Sequence, residues 1–130
     1  MKRRPSLKPR TILLLTTDPR VVCAVRAAAV QKGYELRLLQ DPIVAYYQIR
    51  GESSGIDLVL LDLDPGMQAV ALLSVTLDRV PVVVLMSVPN ARLAELFQHR
   101  GVQHCVVKPL SIPRLIDTIE HTLAPAAEAV

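Results

Sequence analysis

The chain has 130 residues, a hydrophobic fraction of 51% and a formal charge of +3. That size suits one domain burying roughly two-thirds of its unfolded surface, and that apolar content excludes a disordered body. Asp, Arg or Pro interrupts every apolar run before it reaches the length of a membrane span, and the first run is too short for a secretory leader.

The charge is unevenly placed. Lys2, Arg3, Arg4, Lys8 and Arg10 supply +5 with no acid among residues 1–10, which leaves the rest of the chain at −2. Residues 1–10 read as a basic flexible leader, with Pro5 and Pro9 opposing helix. The mildly acidic remainder gives no reason to expect nucleic acid on the domain body. Cys23 and Cys105 stand inside apolar runs without metal-type spacing, so both read as buried free thiols of a reducing cytoplasm.

Thr11–Thr16 is a short aliphatic run that predicts a buried strand. Asp18-Pro19 then opens a helix to about Lys32, with the acid as N-cap and proline at the first position. Val22, Val25, Ala29 and Val30 fall on one face of it, and Gly33 is the expected left-handed stop. Tyr34–Leu39 alternates partly and predicts an edge strand. Asp41-Pro42 starts a helix to about Arg50, and Gly51–Gly55 is a polar loop. Ile56–Asp62 predicts the central strand, closed by an acid at its carboxyl end. The Pro65-Gly66 turn and a helix over about Met67–Leu77 follow. Val80–Met86 is a fourth strand. Pro89-Asn90 introduces a helix that Gly101 ends, and Val102–Val107 is a fifth strand. Ser111 caps a last helix to about Leu123, striped by Leu115, Ile116, Ile119 and Leu123.

Five strands alternating with five helices predict an α/β fold, a flavodoxin-like (βα)5 doubly wound parallel sheet. Strands one, three and four are the most continuously apolar and belong in the centre, which favours the order 2-1-3-4-5. Residues 11–123 form the domain, and 124–130 read as a frayed tail or linker.

Open parallel sheets gather functional groups at the carboxyl ends of their strands. Here that rule brings together Asp18, Asp62, Asp64 and Lys108. Carboxylates in a cluster hold Mg²⁺, and a lysine pairs with a carboxylate or with phosphoryl oxygens. The plainer readings are an Asp62–Lys108 ion pair, Asp64 as a turn residue, Asp18 as a helix cap and Met86 as core filling. Thr16 and Thr17 then bond local backbone. His99, His104 and His121 share neither a face nor ligand spacing.

The ordered set Ile12-Leu13-Leu14-Leu15-Thr16-Thr17-Asp18-Pro19, Asp57–Leu63, Pro65-Gly66-Met67, Val80–Leu85 and Val106-Val107-Lys108-Pro109-Leu110 resembles the receiver domain of two-component response regulators. The resemblance spans about Thr11 to Leu123. It implies that Asp62 stands where the family accepts phosphate from a histidine kinase, and that Lys108 stands at the family's lysine, followed by a proline that often takes a cis bond. Several positions depart from the family. Thr16 and Thr17 replace the two acids that hold Mg²⁺, with Asp18 one step further on. Met86 replaces the Thr or Ser that clamps phosphate, with Ser87 next and facing away. Cys105 replaces the rotating aromatic.

Together these departures imply a degenerate, or pseudo-, receiver. It is expected to be non-enzymatic and cytoplasmic, to need no cofactor and no metal, and to act through a protein partner or a second copy, a histidine kinase or other signalling protein among them. The resemblance also points to partner faces: Ile43, Val44 and Tyr47, which fall where the family's second helix faces water, and the faces carrying Leu93, Phe97 and the last helix. A competing reading is a phosphorylatable receiver with Asp62 as acceptor, Mg²⁺ as cofactor and Asp18, Asp62 and Asp64 improvising its site. A third is an Mg²⁺-dependent phosphohydrolase built on Asp62-Leu63-Asp64, for which Thr16, Thr17 and Met86 supply no further acids. A flavin site lacks a glycine-containing phosphate loop after strand one.

Overall fold

A computed structural model describes residues 9–50, 55–63, 80–87, 95, 97–99, 101–102 and 104–124. Its elements are β1 (Thr11–Leu15), α1 (Pro19–Lys32), β2 (Glu35–Leu39), α2 (Pro42–Arg50), β3 (Leu58–Asp62), β4 (Val82–Met86), β5 (His104–Val107) and α3 (Ile112–Leu123). All pairings between strands are parallel, and the sheet order is β2-β1-β3-β4-β5. The helix expected over Met67–Leu77, the Asp64 and Pro65-Gly66 turn, Pro89-Asn90 and Leu93 lie outside the described residues. So do residues 1–8 and 125–130.

The aliphatic runs form central strands because both faces of the sheet are covered. Side chains alternate across a strand, so every residue of β1, β3 and β4 must meet a helix on one side or the other. Leu13, Leu15, Val59, Leu61, Val82, Val84 and Met86 pack with Ala45 and Ile49 of α2 and with Phe97. Ile12, Leu14, Leu58, Leu60, Val83 and Leu85 pack with Val21, Val25 and Ala28 of α1 and with Leu115 and Ile119 of α3. Burying each Leu or Val completely contributes about 1.5–3 kcal/mol.

Local signals set where the helices start and stop. Asp18 adopts an extended backbone and its side chain accepts from the Arg20 amide at 2.9 Å, while Pro19 occupies the first turn. Gly33 ends α1 with φ +74°, a conformation that a side chain would strain. Ser111 caps α3. Tyr34 then ties the two helices' ends together by donating its hydroxyl to Glu120 of α3.

Several sequence expectations need correcting. The buried face of α1 is Val21, Val25, Ala28 and Ala29, one step round from the face expected, and Val30 is 77% exposed. Cys23 is exposed and Cys105 half-buried, so neither is a core thiol. On α3 the buried residues are Leu115, Ile119 and Thr122, with Ile116 and Leu123 at the margin. Phe97 is 2% exposed and packs under the sheet, which removes it from any partner face. In each case an apolar residue type was compatible with either side of its element, and packing chose the side.

Candidate functional site

β1 and β3 are adjacent and in register, so their carboxyl ends deliver Thr16 and Asp62 to the same point. Both side chains are buried, Asp62 completely. The Thr16 hydroxyl donates to Asp62 Oδ2 at 2.5 Å and accepts from the Asp18 amide at 3.0 Å. One hydroxyl therefore closes a bridge from the strand end to the helix cap.

Lys108 arrives from the end of β5. Its amide donates to the Met86 carbonyl at 2.8 Å, and the peptide bond to Pro109 is cis. The ammonium Nζ lies 3.0 Å from Asp62 Oδ2 and 3.5 Å from Asp18 Oδ2, with the lysine side chain only 10% exposed. Asp62 Oδ2 thus accepts from a neutral hydroxyl and from a cation at once. Bonds to charged groups are stronger than neutral ones, and stronger again away from water.

Asp18 sits at the rim. The Arg20 amide holds its carboxyl below the usual carboxylate range, with Lys108 and the Arg20 side chain acting in the same direction and partial burial opposing them. A carboxyl depressed in the folded state adds stability at pH above its unfolded value, and that stability is lost as the pH falls through the lower folded value. Asp18→Asn keeps an N-capping side chain but cannot titrate. Denaturant melts compared stepwise below pH 3.8, the ordinary value for this group, are therefore expected to show wild type losing more stability than the variant.

A groove of about 410 Å³ opens over this cluster, lined by Asp18, Arg20, Val21, Ala24, Ser87, Lys108, Pro109 and Leu110. Ser87 was expected to face away. It lies two residues beyond Leu85 on the same side of β4, and alternation turns it into the groove beside Lys108. Met86 points to the other face, into the core. Thr17 is exposed. Cys105 packs at the edge of the α2-side core, and burial pushes its thiol pKa up, away from the range of a reactive thiolate. Asp64 lies outside the described residues.

Among the described residues the donor set is poor for the magnesium ion that the family resemblance raises. Mg²⁺ requires hard oxygen ligands, of which carboxylates supply the charge. The first strand is followed by two threonines, and the ammonium of Lys108 already lies against Asp18 and Asp62. Among the described residues no group of three His, Cys, Asp or Glu side chains could hold a metal ion. No described helix is long and apolar enough to cross a membrane.

One grouping was missed by reading spacings along the chain. His104 of β5 and His121 of α3 face each other, with ring centroids 5.7 Å apart and planes at 80°. Seventeen positions separate them, and only the packing of α3 on the sheet brings them together.

No protein-family model matches the sequence, and no curated protein matches it. Solved structures do match. A CheY-like response regulator receiver domain protein from Methanospirillum hungatei JF-1 superposes with a TM-score of 0.78 at 18% identity, over 89% of this chain and 94% of that one. A response regulator from Thermotoga maritima gives 0.77 at 17% identity, over 91% of this chain and 100% of that one. The phosphorylated cyanobacterial phytochrome response regulator RcpA gives 0.72 at 24% identity, over 90% and 96%. The chain therefore has the fold of response-regulator receiver domains.

Proposed function

We propose that this chain is an atypical, cytoplasmic receiver domain that signals through protein–protein contact and does not rely on Mg²⁺-dependent phosphorylation of Asp62. The observation that carries this reading is the state of Asp62 Oδ2, which accepts from the Thr16 hydroxyl at 2.5 Å and from Lys108 at 3.0 Å. Thr16 and Lys108 hold the carboxylate as a structural ion pair, and the strand-one exit offers hydroxyls in place of the charges that would attract a cation. Residues 11–123 are the signalling unit in this reading, and it performs no catalysis.

Ile43 and Tyr47 of α2, 66% and 64% exposed, together with Val44, provide apolar surface suited to a partner. The partner is a signalling protein or a second copy of the chain.

A competing reading, in which Asp62 accepts phosphate, has one observation in its favour. Ser87 lines the groove beside Lys108 and brings a hydroxyl to the neighbourhood of the acid. Beryllofluoride with Mg²⁺ mimics an aspartyl phosphate and separates the two. Our reading expects no saturable change in amide NMR shifts around Asp62, Thr16 and Lys108 at millimolar Mg²⁺. Large saturable shifts there, abolished in Asp62→Asn, would establish the phosphorylatable receiver instead.

A further inference from the structure

The two facing histidines lie well away from the acidic groove. His104 is the first residue of β5, and Lys108 follows its last, so about 13 Å of strand separates the two sites. His104 shares a strand face with Val106, which packs toward α1 and α3, and this points its ring at the helix carrying His121.

We infer that His104 and His121 form half of a transition-metal site, completed by the same two residues of a second copy of this chain. Zinc–imidazole bonds of about 2.0–2.1 Å at tetrahedral angles place two ring centres about 5 Å apart. The observed separation of the ring centres is 5.7 Å, close to that value. Imidazole nitrogen suits zinc, nickel and copper ions, and is unsuited to Mg²⁺ or Ca²⁺, which demand oxygen.

Two nitrogens leave a tetrahedral ion half-ligated, and no third His, Cys, Asp or Glu joins them among the described residues. The location lets a second copy finish the set. Among the described residues β5 is the edge strand of the sheet and pairs only with β4, and His121 is exposed on α3. A two-fold axis through the ion repeats the pair and gives four imidazoles with one metal per two chains, an isologous contact. This inference does not rest on the reading of Asp62.

The test uses the full chain, stripped of metal with EDTA, and Zn²⁺ alone as the probe at pH 7.5. Calorimetric titration combined with sedimentation is expected to show one Zn²⁺ per two chains and a metal-dependent dimer. His121→Ala, at an exposed position, is expected to keep the circular dichroism of the fold and to weaken zinc binding at least tenfold. His104→Gln is expected to do the same. The inference is overturned by a monomer at saturating zinc or by one ion per chain. Undiminished binding in His121→Ala would also overturn it and would direct attention to the thiols of Cys23 and Cys105.

Discussion

Lys108→Met is expected to lower the unfolding free energy at pH 7 by about 3–5 kcal/mol, the usual cost of removing one partner from a buried ion pair. Asp62 is fully buried, and the Lys108 ammonium 3.0 Å away is the cation that compensates its charge. Methionine retains most of the lysine's apolar stem, so lost packing contributes little to the difference. The Thr16 hydroxyl remains, but a neutral donor does not replace the charge of the lost ammonium. Such a loss is a large share of the roughly 5–15 kcal/mol that a domain of this kind commands.

The controls identify the cause. Asp62→Asn is expected to cost less, because the amide oxygen still accepts from Thr16 and Lys108 retains Asp18 at 3.5 Å. The double variant Asp62→Asn/Lys108→Met is expected to be more stable than Lys108→Met alone, since no unpaired charge is left inside. Urea melts of the four proteins check this. A Lys108→Met midpoint equal to wild type would mean that the pair does not hold the strand ends together.

Thr16→Asp has the second large effect, and its size depends on the solution. The substitution places a carboxylate where a hydroxyl now donates to Asp62 at 2.5 Å. Two like charges in a buried site cannot both be stabilised by one lysine. In EDTA the variant is expected to lose about 2–4 kcal/mol relative to wild type. Mg²⁺ is then expected to restore part of the loss by binding the folded state, with about 1.4 kcal/mol returned at ten times its dissociation constant. Wild type, whose Thr16 is neutral and whose carboxylates already face Lys108, is expected to melt at the same temperature with and without Mg²⁺. A wild-type melting temperature that climbs with millimolar Mg²⁺ would show that the native donor set does recruit the ion.

Much of the scaffold can be read along the chain. β1, β3 and β4 consist almost wholly of Leu, Ile and Val, which only a sheet covered on both faces accommodates. Asp18-Pro19 and Gly33 mark the ends of α1 by chemistry confined to their own turn. The convergence of Asp62 and Lys108 follows from the strand order, because parallel neighbours present their carboxyl ends together.

Other features depend on how the elements seat against one another. The buried face of α1, Val21, Val25, Ala28 and Ala29, sits one position round from the one the sequence suggests, because Val21, Val22, Val25 and Val30 are interchangeable in polarity and the rotation of a helix is set by the sheet beneath it. Ser87 gains its place in the groove from the register of β4, and Phe97 its burial from the core below.

What the amino-acid order determined alone is the parallel sheet, its strand order and the arrival of an acid and a lysine at its carboxyl edge. These follow from local rules: apolar run length, capping side chains and turn residues. What only the tertiary structure decided is which atoms share a contact: the Thr16 hydroxyl and the Lys108 ammonium on one oxygen of Asp62, Ser87 in the groove, and the His104 and His121 rings face to edge. Contacts between residues far apart in the chain depend on positions of a few tenths of a nanometre, and those are settled by packing, which no spacing along the chain encodes.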